Sequence, residues 1–199
     1  MIPLTRKFLY QQFYLNAECE IPDSFYTLLD VNLKIFHAAT AVFYSPSDPS
    51  GIEGMRREQI RSTPQWRKYG HRYDTIFVET DPNQSGMRGM HVARVYLFFS
   101  FAVESITYPC ALIHWYGFMD NEPDPLTGMW MVSQEYVDDQ PSLAVIHMDT
   151  ILRGAHLIPA YGEGFVADAH ELDSAQTLDN FNLFYVNKFV DHHSFEMVF

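Results

Sequence analysis

Two long β-favouring runs joined by almost nothing constrain this chain more than any other feature. Residues 91–101 and 106–118 are crowded with Val, Ile, Phe, Tyr and Trp, and the tight joint at Glu104 and Ser105 leaves no room for the crossover that a parallel pair needs. The two runs therefore read as an antiparallel hairpin. Residues 75–79, 129–133 and 143–148 share the same texture and are bounded by turn residues, while the acidic stretch 120–128 forms a longer hairpin loop. A sequential antiparallel meander of about five or six strands between Asp74 and Tyr161 follows.

The run from Val92 to Phe101 carries apolar residues at both parities, so both of its faces should be covered. Helices at the two ends of the chain are the expected cover. Phe25, Leu28 and Leu29, then Leu33, Phe36, Thr40 and Phe43, recur at steps of three and four and predict helix in two pieces over 25–44. A breaker at 45–51 ends it, and 54–61 reads as a short helix closed by Ser62, Thr63 and Pro64. Residues 150–155 read as one helical turn. Thr177 is placed to cap a final helix from Leu178, with Phe181, Tyr185 and Phe189 on one face, but the β-favouring residues 183–186 leave a strand open.

The expected fold is α+β: a curved antiparallel β-sheet or small, partly open β-barrel with helices from the N-terminal and C-terminal segments packed against it. At 199 residues and 47% hydrophobic content, the chain is expected to form a single domain over 1–199. Residues 1–73 form a helical and loop extension, 74–161 the β-core, and 162–199 a C-terminal loop and helix. Aromatic content of 16% argues against a disordered, coiled-coil or collagen-like chain.

No apolar run approaches the roughly 20 residues a membrane helix needs, and residues 1–10 lack the apolar centre of a signal peptide. An intracellular protein is the expectation. Cys19 and Cys110 share no CxxC or Cys/His spacing and read as free thiols. No Walker loop, GxGxxG or GxSxG motif is present, and the acidic residues Asp120, Glu122 and Asp124 lack the offsets of an EF-hand. No cofactor is expected. The net charge of −12 opposes nucleic-acid binding, yet residues 53–73 hold six basic residues against two acidic ones, +4 locally, leaving −16 for the rest. Those six are Arg56, Arg57, Arg61, Arg67, Lys68 and Arg72. Interleaved with Trp66, Tyr69 and Tyr73, they are the candidates for contacts with nucleic acid. They are nevertheless expected to pair with carboxylates of the same domain and to leave direct DNA binding weak or absent.

Other constellations suggest chemistry. His192, His193 and Glu196 are weak metal candidates, since His192 and Glu196 meet at i,i+4 on a helix, but a third ligand is lacking and a polar helix end is the simpler reading. His156 reads as a hydrogen-bonded core histidine. Cys110 and His114 share strand parity but stand about 13 Å apart and cannot form a dyad. His114 and Tyr116 share one strand face, and His147 and Asp149 another, so neighbouring strands in the right register would bring all four into one acid–base pocket.

The blocks SPSDPSGIEGMRREQIRSTPQWR, RYDTIFVETD, GMHVARVYLFFSF, YPCALIHWY, DPLTGMWMV, IHMDTILRGAHLIPAYG and FYVNKFVDHH, in this order, resemble the C-terminal region of fungal Plavaka-type transposase open reading frames, related to the Kyakuja, Dileera and Zisupton elements. The resemblance covers roughly residues 33–196. It implies that the metal-dependent nuclease residues of such proteins lie upstream, so none transfers to this sequence. The resemblance thus implies a non-catalytic accessory or interaction module, in the nucleus, with a protein or nucleoprotein partner. The alternative is a recruited small-molecule enzyme or binding protein using the aromatic, His/Tyr/Asp-lined pocket of the β-core.

Overall fold

A computed structural model describes residues 2–13, 32–47, 51–67, 70–103, 105–161 and 176–199. The predicted hairpin is its backbone. Strands β1 (Lys34–Phe36), β2 (Ala38–Tyr44), β3 (Met55–Thr63), β4 (Arg72–Tyr73) and β5 (Thr75–Glu79) precede the long pair β6 (Met90–Val103) and β7 (Ile106–Phe118). After it come β8 (Met131–Gln134), β9 (Tyr136–Val137), β10 (Gln140–Pro141), β11 (Leu143–His147), β12 (Ile151–Gly154), β13 (Leu157–Pro159) and β14 (Leu183–Val186). Three α-helices are described: α1 (Ile2–Phe13), α2 (Thr177–Asn180) and α3 (His192–Val198).

A nine-stranded antiparallel sheet runs in the order β12, β5, β6, β7, β8, β14, β13, with β1 also beside β6 and β11 also beside β7. It curls into a half-barrel, as the α+β expectation required. Because β6 and β7 are long, each carries two short strands along its outer edge: β5 and β1 on β6, β8 and β11 on β7. The sheet holds more strands than the meander predicted: β12 and β13 add to it within residues 74–161, and β1 and β14 join it from outside that range.

Both faces of β6 are buried, as its apolar residues at both parities require. One face holds Ile76, Val78, Ala93, Val95, Phe98, Ala111 and Ile113, covered by Ile60, Ala39 and Ala41. The cover is thus a second, three-stranded sheet in the order β2, β3, β4, where helix was expected. The other face carries two apolar clusters. Phe77, Val92, Tyr116, Val132 and Phe184 pack with Val198 of α3, and Phe99, Phe101, Cys110 and Val145 pack with Phe8 and Leu9 of α1.

Several helix expectations fail for one reason. In residues 33–44 the steps of three and four coexist with alternation, and β-branched and aromatic residues favour the pleated form: Thr40, Val42 and Tyr44 face out while Ala39, Ala41 and Phe43 face in. Residues 54–61 alternate as well, but the inward positions include the charged Arg56 and Glu58, which hides the pattern from a hydrophobicity reading. Residues 150–155 hold β12 after a 3₁₀ turn, and β14 takes residues 183–186, leaving only short helices on either side. The helix expected over residues 25–31 lies outside the described residues.

Candidate functional site

The β6–β7 register places Arg94 opposite His114 and Val92 opposite Tyr116, on the face between the two apolar clusters. The register then slips between Val95 and Leu97, so Tyr96 is the extra residue of a β-bulge. The result is a polar belt across the sheet. Arg94, 1% exposed, donates to Asp179 Oδ1 and Oδ2 at 2.5 and 3.1 Å and to the Tyr73 carbonyl at 3.4 Å. Its Cζ also lies 5.8 and 5.7 Å from the ring centroids of Tyr73 and Tyr96. His114 Nε2 stands 2.7 Å from the carbonyl oxygen of Glu135, and only a donor can meet a carbonyl, so Nε2 carries the proton. Nδ1 is buried and has no hydrogen-bond partner among the described residues; it is ringed by Tyr136, Tyr96 and Tyr116 at centroid distances of 5.3, 6.2 and 6.4 Å.

The electrostatics of the belt are those of a locked ion pair. Hydrogen bonds from Arg94 hold the Asp179 carboxyl below its usual range, while burial, which would lower the Arg94 pKa, is outweighed by Asp179 and leaves it raised. Burial raises the phenols of Tyr96 and Tyr116.

His147 and Asp149 are not part of this belt. β11 does pair with β7, but the register sets Leu143 opposite His114 and His147 opposite Cys110, about 13 Å further along the strand. His147 instead accepts the Asp149 amide across a 3₁₀ turn at 3.3 Å, and the Asp149 side chain is 88% exposed. The four-residue acid–base pocket is therefore corrected to a two-residue overlap, His114 and Tyr116. Cys110 is buried among apolar side chains, which pushes its thiol up to about 12 and makes it an inert core residue.

A second buried arginine joins the two sheets. Arg153 on β12, 1% exposed, donates to both Asp191 oxygens at 2.8 and 2.7 Å, and its Nε lies 3.5 Å from Glu58 on β3. Phe43 of β2 lies under the guanidinium at 4.6 Å and stacks on His193 at 4.5 Å. Burial alone would raise the Asp191 pKa, but the hydrogen bonds from Arg153 and the Ser194 amide hold it at about 2. Burial also lowers His193, and the adjacent Arg153 adds to that. Gly154 lets the Glu58 carboxylate approach its amide at 3.0 Å, since a Cβ there would meet Glu58 Oε1 at 3.1 Å. His156 is an exposed residue 3.5 Å from Glu58, not a core histidine. His193 thus turns to Arg153 while His192 meets Glu196 at 3.3 Å in solvent, so the three metal candidates do not converge. Among the described residues no group of three His, Cys, Asp or Glu side chains could hold a metal ion.

The basic segment divides across β3. Arg56 faces inward, 3.7 Å from Asp191, and Arg72 pairs with Asp74 at 2.7 Å, as expected of arginines with carboxylate partners. Arg61 and Arg67 depart from that expectation: with Arg72 they gather on Trp66, their Cζ atoms 4.4, 5.3 and 5.3 Å from its ring centroid. Arg57 is exposed and has no ion pair among the described residues. Lys68 lies outside them. On β2 the same outward face shows Val42 and Tyr44, 52% and 62% exposed, opposite Arg57 and Met55.

Two open clefts, of about 340 and 350 Å³, lie away from the His114 belt: one is lined by Glu58, Arg72, Asp74, His156 and Leu178, the other by Trp130, Lys188 and Phe199. Sequence reasoning missed Arg94, Arg153 and Asp179, although an arginine inside an otherwise apolar strand run was a visible signal, and it grouped Asp191 with the metal candidates His192, His193 and Glu196 when its partner is Arg153. No helix among the described residues is long and apolar enough to cross a membrane. Comparison of the chain with protein-family models, with curated proteins and with solved structures finds no match.

Proposed function

We propose that this chain is a non-catalytic interaction module, of the kind its resemblance to the transposase C-terminal region implies, and that it meets a protein or nucleoprotein partner through the outward face of β2 and β3. One contrast carries this reading. The two buried arginines are each held by carboxylates, in Arg94–Asp179 and Arg153–Asp191–Glu58, while the outward face of Tyr44, Val42, Arg57 and the Trp66 arginines holds apolar and cationic side chains in solvent. Its location is then nuclear, and its direct DNA binding weak. Quantitative cross-linking in nuclear extract tests the reading: partners retained by the wild type should be lost from a Tyr44→Ala, Arg57→Glu variant. Equal retention by both proteins would refute it.

A second reading, a small-molecule enzyme or binding protein built on the belt, is favoured by the unpartnered Nδ1 of His114. A compound that raises the melting temperature of the wild type and not of His114→Gln would support it.

A further inference from the structure

We propose that Arg61, Arg67 and Arg72, gathered on Trp66, form a recognition site for a phosphate monoester carried by a protein partner; this rests on the reading of the β2–β3 face as the docking surface. Three guanidinium carbons within 4.4–5.3 Å of one ring centroid lie at most about 11 Å from one another, so three like charges share a small volume. Among the described residues a carboxylate compensates only Arg72. Asp74 accepts from Arg72 Nε and Nη2 at 2.7 and 3.3 Å, and its Oδ2 also accepts the Arg61 amide at 2.8 Å, which fixes both residues. Arg61 Nη2 meets only the neutral Gln59 Oε1, at 2.5 Å. Arg67 has no hydrogen bond among the described residues, and its φ of +53° holds a non-glycine residue in the left-handed region, next to Trp66, whose amide donates to the Gly70 carbonyl. The indole takes the place of counter-charge, ordering planar cations that would otherwise separate.

The arrangement selects its ligand. The guanidiniums converge on one ring instead of lining a track, which suits a compact dianion with three acceptor oxygens better than a row of single charges. Stacking of nucleic-acid bases needs a free aromatic face, and Arg61 already covers Trp66 at 4.4 Å. The −16 carried by the chain outside residues 53–73 repels an extended polyanion far more than a single phosphate group. Arg57, on the same face of β3 and about 13 Å from Arg61, adds a contact for an acidic residue flanking the phosphate.

The test uses the full chain and the indole N–H resonance of Trp66, assigned by its loss in Trp66→Phe. The probes are a short phosphoserine peptide, the same peptide with serine, the same with glutamate, inorganic phosphate, and a single-stranded oligonucleotide. The phosphoserine peptide should shift the Trp66 resonance saturably and bind roughly tenfold or more tightly than the serine or glutamate peptides. Inorganic phosphate should compete at higher concentration. An Arg61→Gln, Arg67→Gln variant should lose at least about tenfold in affinity while its melting temperature stays near that of the wild type. The proposal is overturned if the glutamate peptide binds as well, if the oligonucleotide binds more tightly, if no probe saturates, or if the variant binds unchanged. Should the phosphopeptide fail while Tyr44→Ala, Arg57→Glu still releases the partner, the phosphate site falls and the docking surface stands.

Discussion

Two pairs of arginines, Arg94 with Arg153 and Arg61 with Arg67, stand in opposite surroundings, and the contrast separates what builds the molecule from what it shows to others. Arg94 and Arg153 are each 1% exposed, held bidentate by a carboxylate and seated against aromatic rings. Arg61 and Arg67 reach Trp66 with no carboxylate partner among the described residues. A buried guanidinium has to be neutralised where it stands, because the interior cannot screen it. At the surface water does the screening, so a cation there is left able to meet another molecule.

Replacing a buried arginine breaks this contrast most severely. Arg153→Met should strand Asp191 and Glu58 at the junction of the two sheets and cost about 3–5 kcal/mol, read from the midpoint of urea unfolding. A loss of less than about 1 kcal/mol would mean the junction does not depend on this ion cluster. Arg94→Met should cost less, because Asp179 is 42% exposed against 16% for Asp191 and regains water once its partner is gone. Equal losses for the two variants would show that carboxylate exposure does not govern the difference.

Acid sharpens the comparison next. The Asp191 carboxyl is lowered from 3.8 to about 2, so its contribution to stability is full above about pH 4 and is lost as the pH falls toward 2. Folding free energy should decline by roughly 2 kcal/mol from this group over that window, and Asp191→Asn should flatten the pH dependence there while lowering stability at neutral pH. An unchanged acid slope in the variant would place the linkage elsewhere.

The surface arginines should give the smallest effect. Arg67→Ala is expected to change stability by no more than about 0.5–1 kcal/mol, shrinking further in high salt, since an exposed cation–π contact is worth no more than that. A loss comparable to that of Arg153→Met would erase the division between the two pairs.

The β-core was readable because its signal is local and redundant. Thr75–Glu79 has the predicted bounds, and β6 and β7 follow the predicted runs closely, because apolar residues at both parities and a tight joint leave few other solutions. The second sheet was not readable, because β3 turns Arg56 and Glu58 inward to Asp191 and Arg153, residues more than ninety positions away. The candidate site divides similarly. His114 and Tyr116 share a face by parity alone, but whether His147 stood beside them depended on register, and Leu143 took that place.

By itself the sequence determined a curled antiparallel sheet around one long hairpin, because alternation, aromatic density and short connections act between near neighbours and admit little else. Only the tertiary structure decided which charges are buried and which are offered to solvent. An arginine is written identically in either role, and its fate turns on whether folding brings a distant carboxylate to it, as Asp191 is brought to Arg153, or leaves it against Trp66 in water.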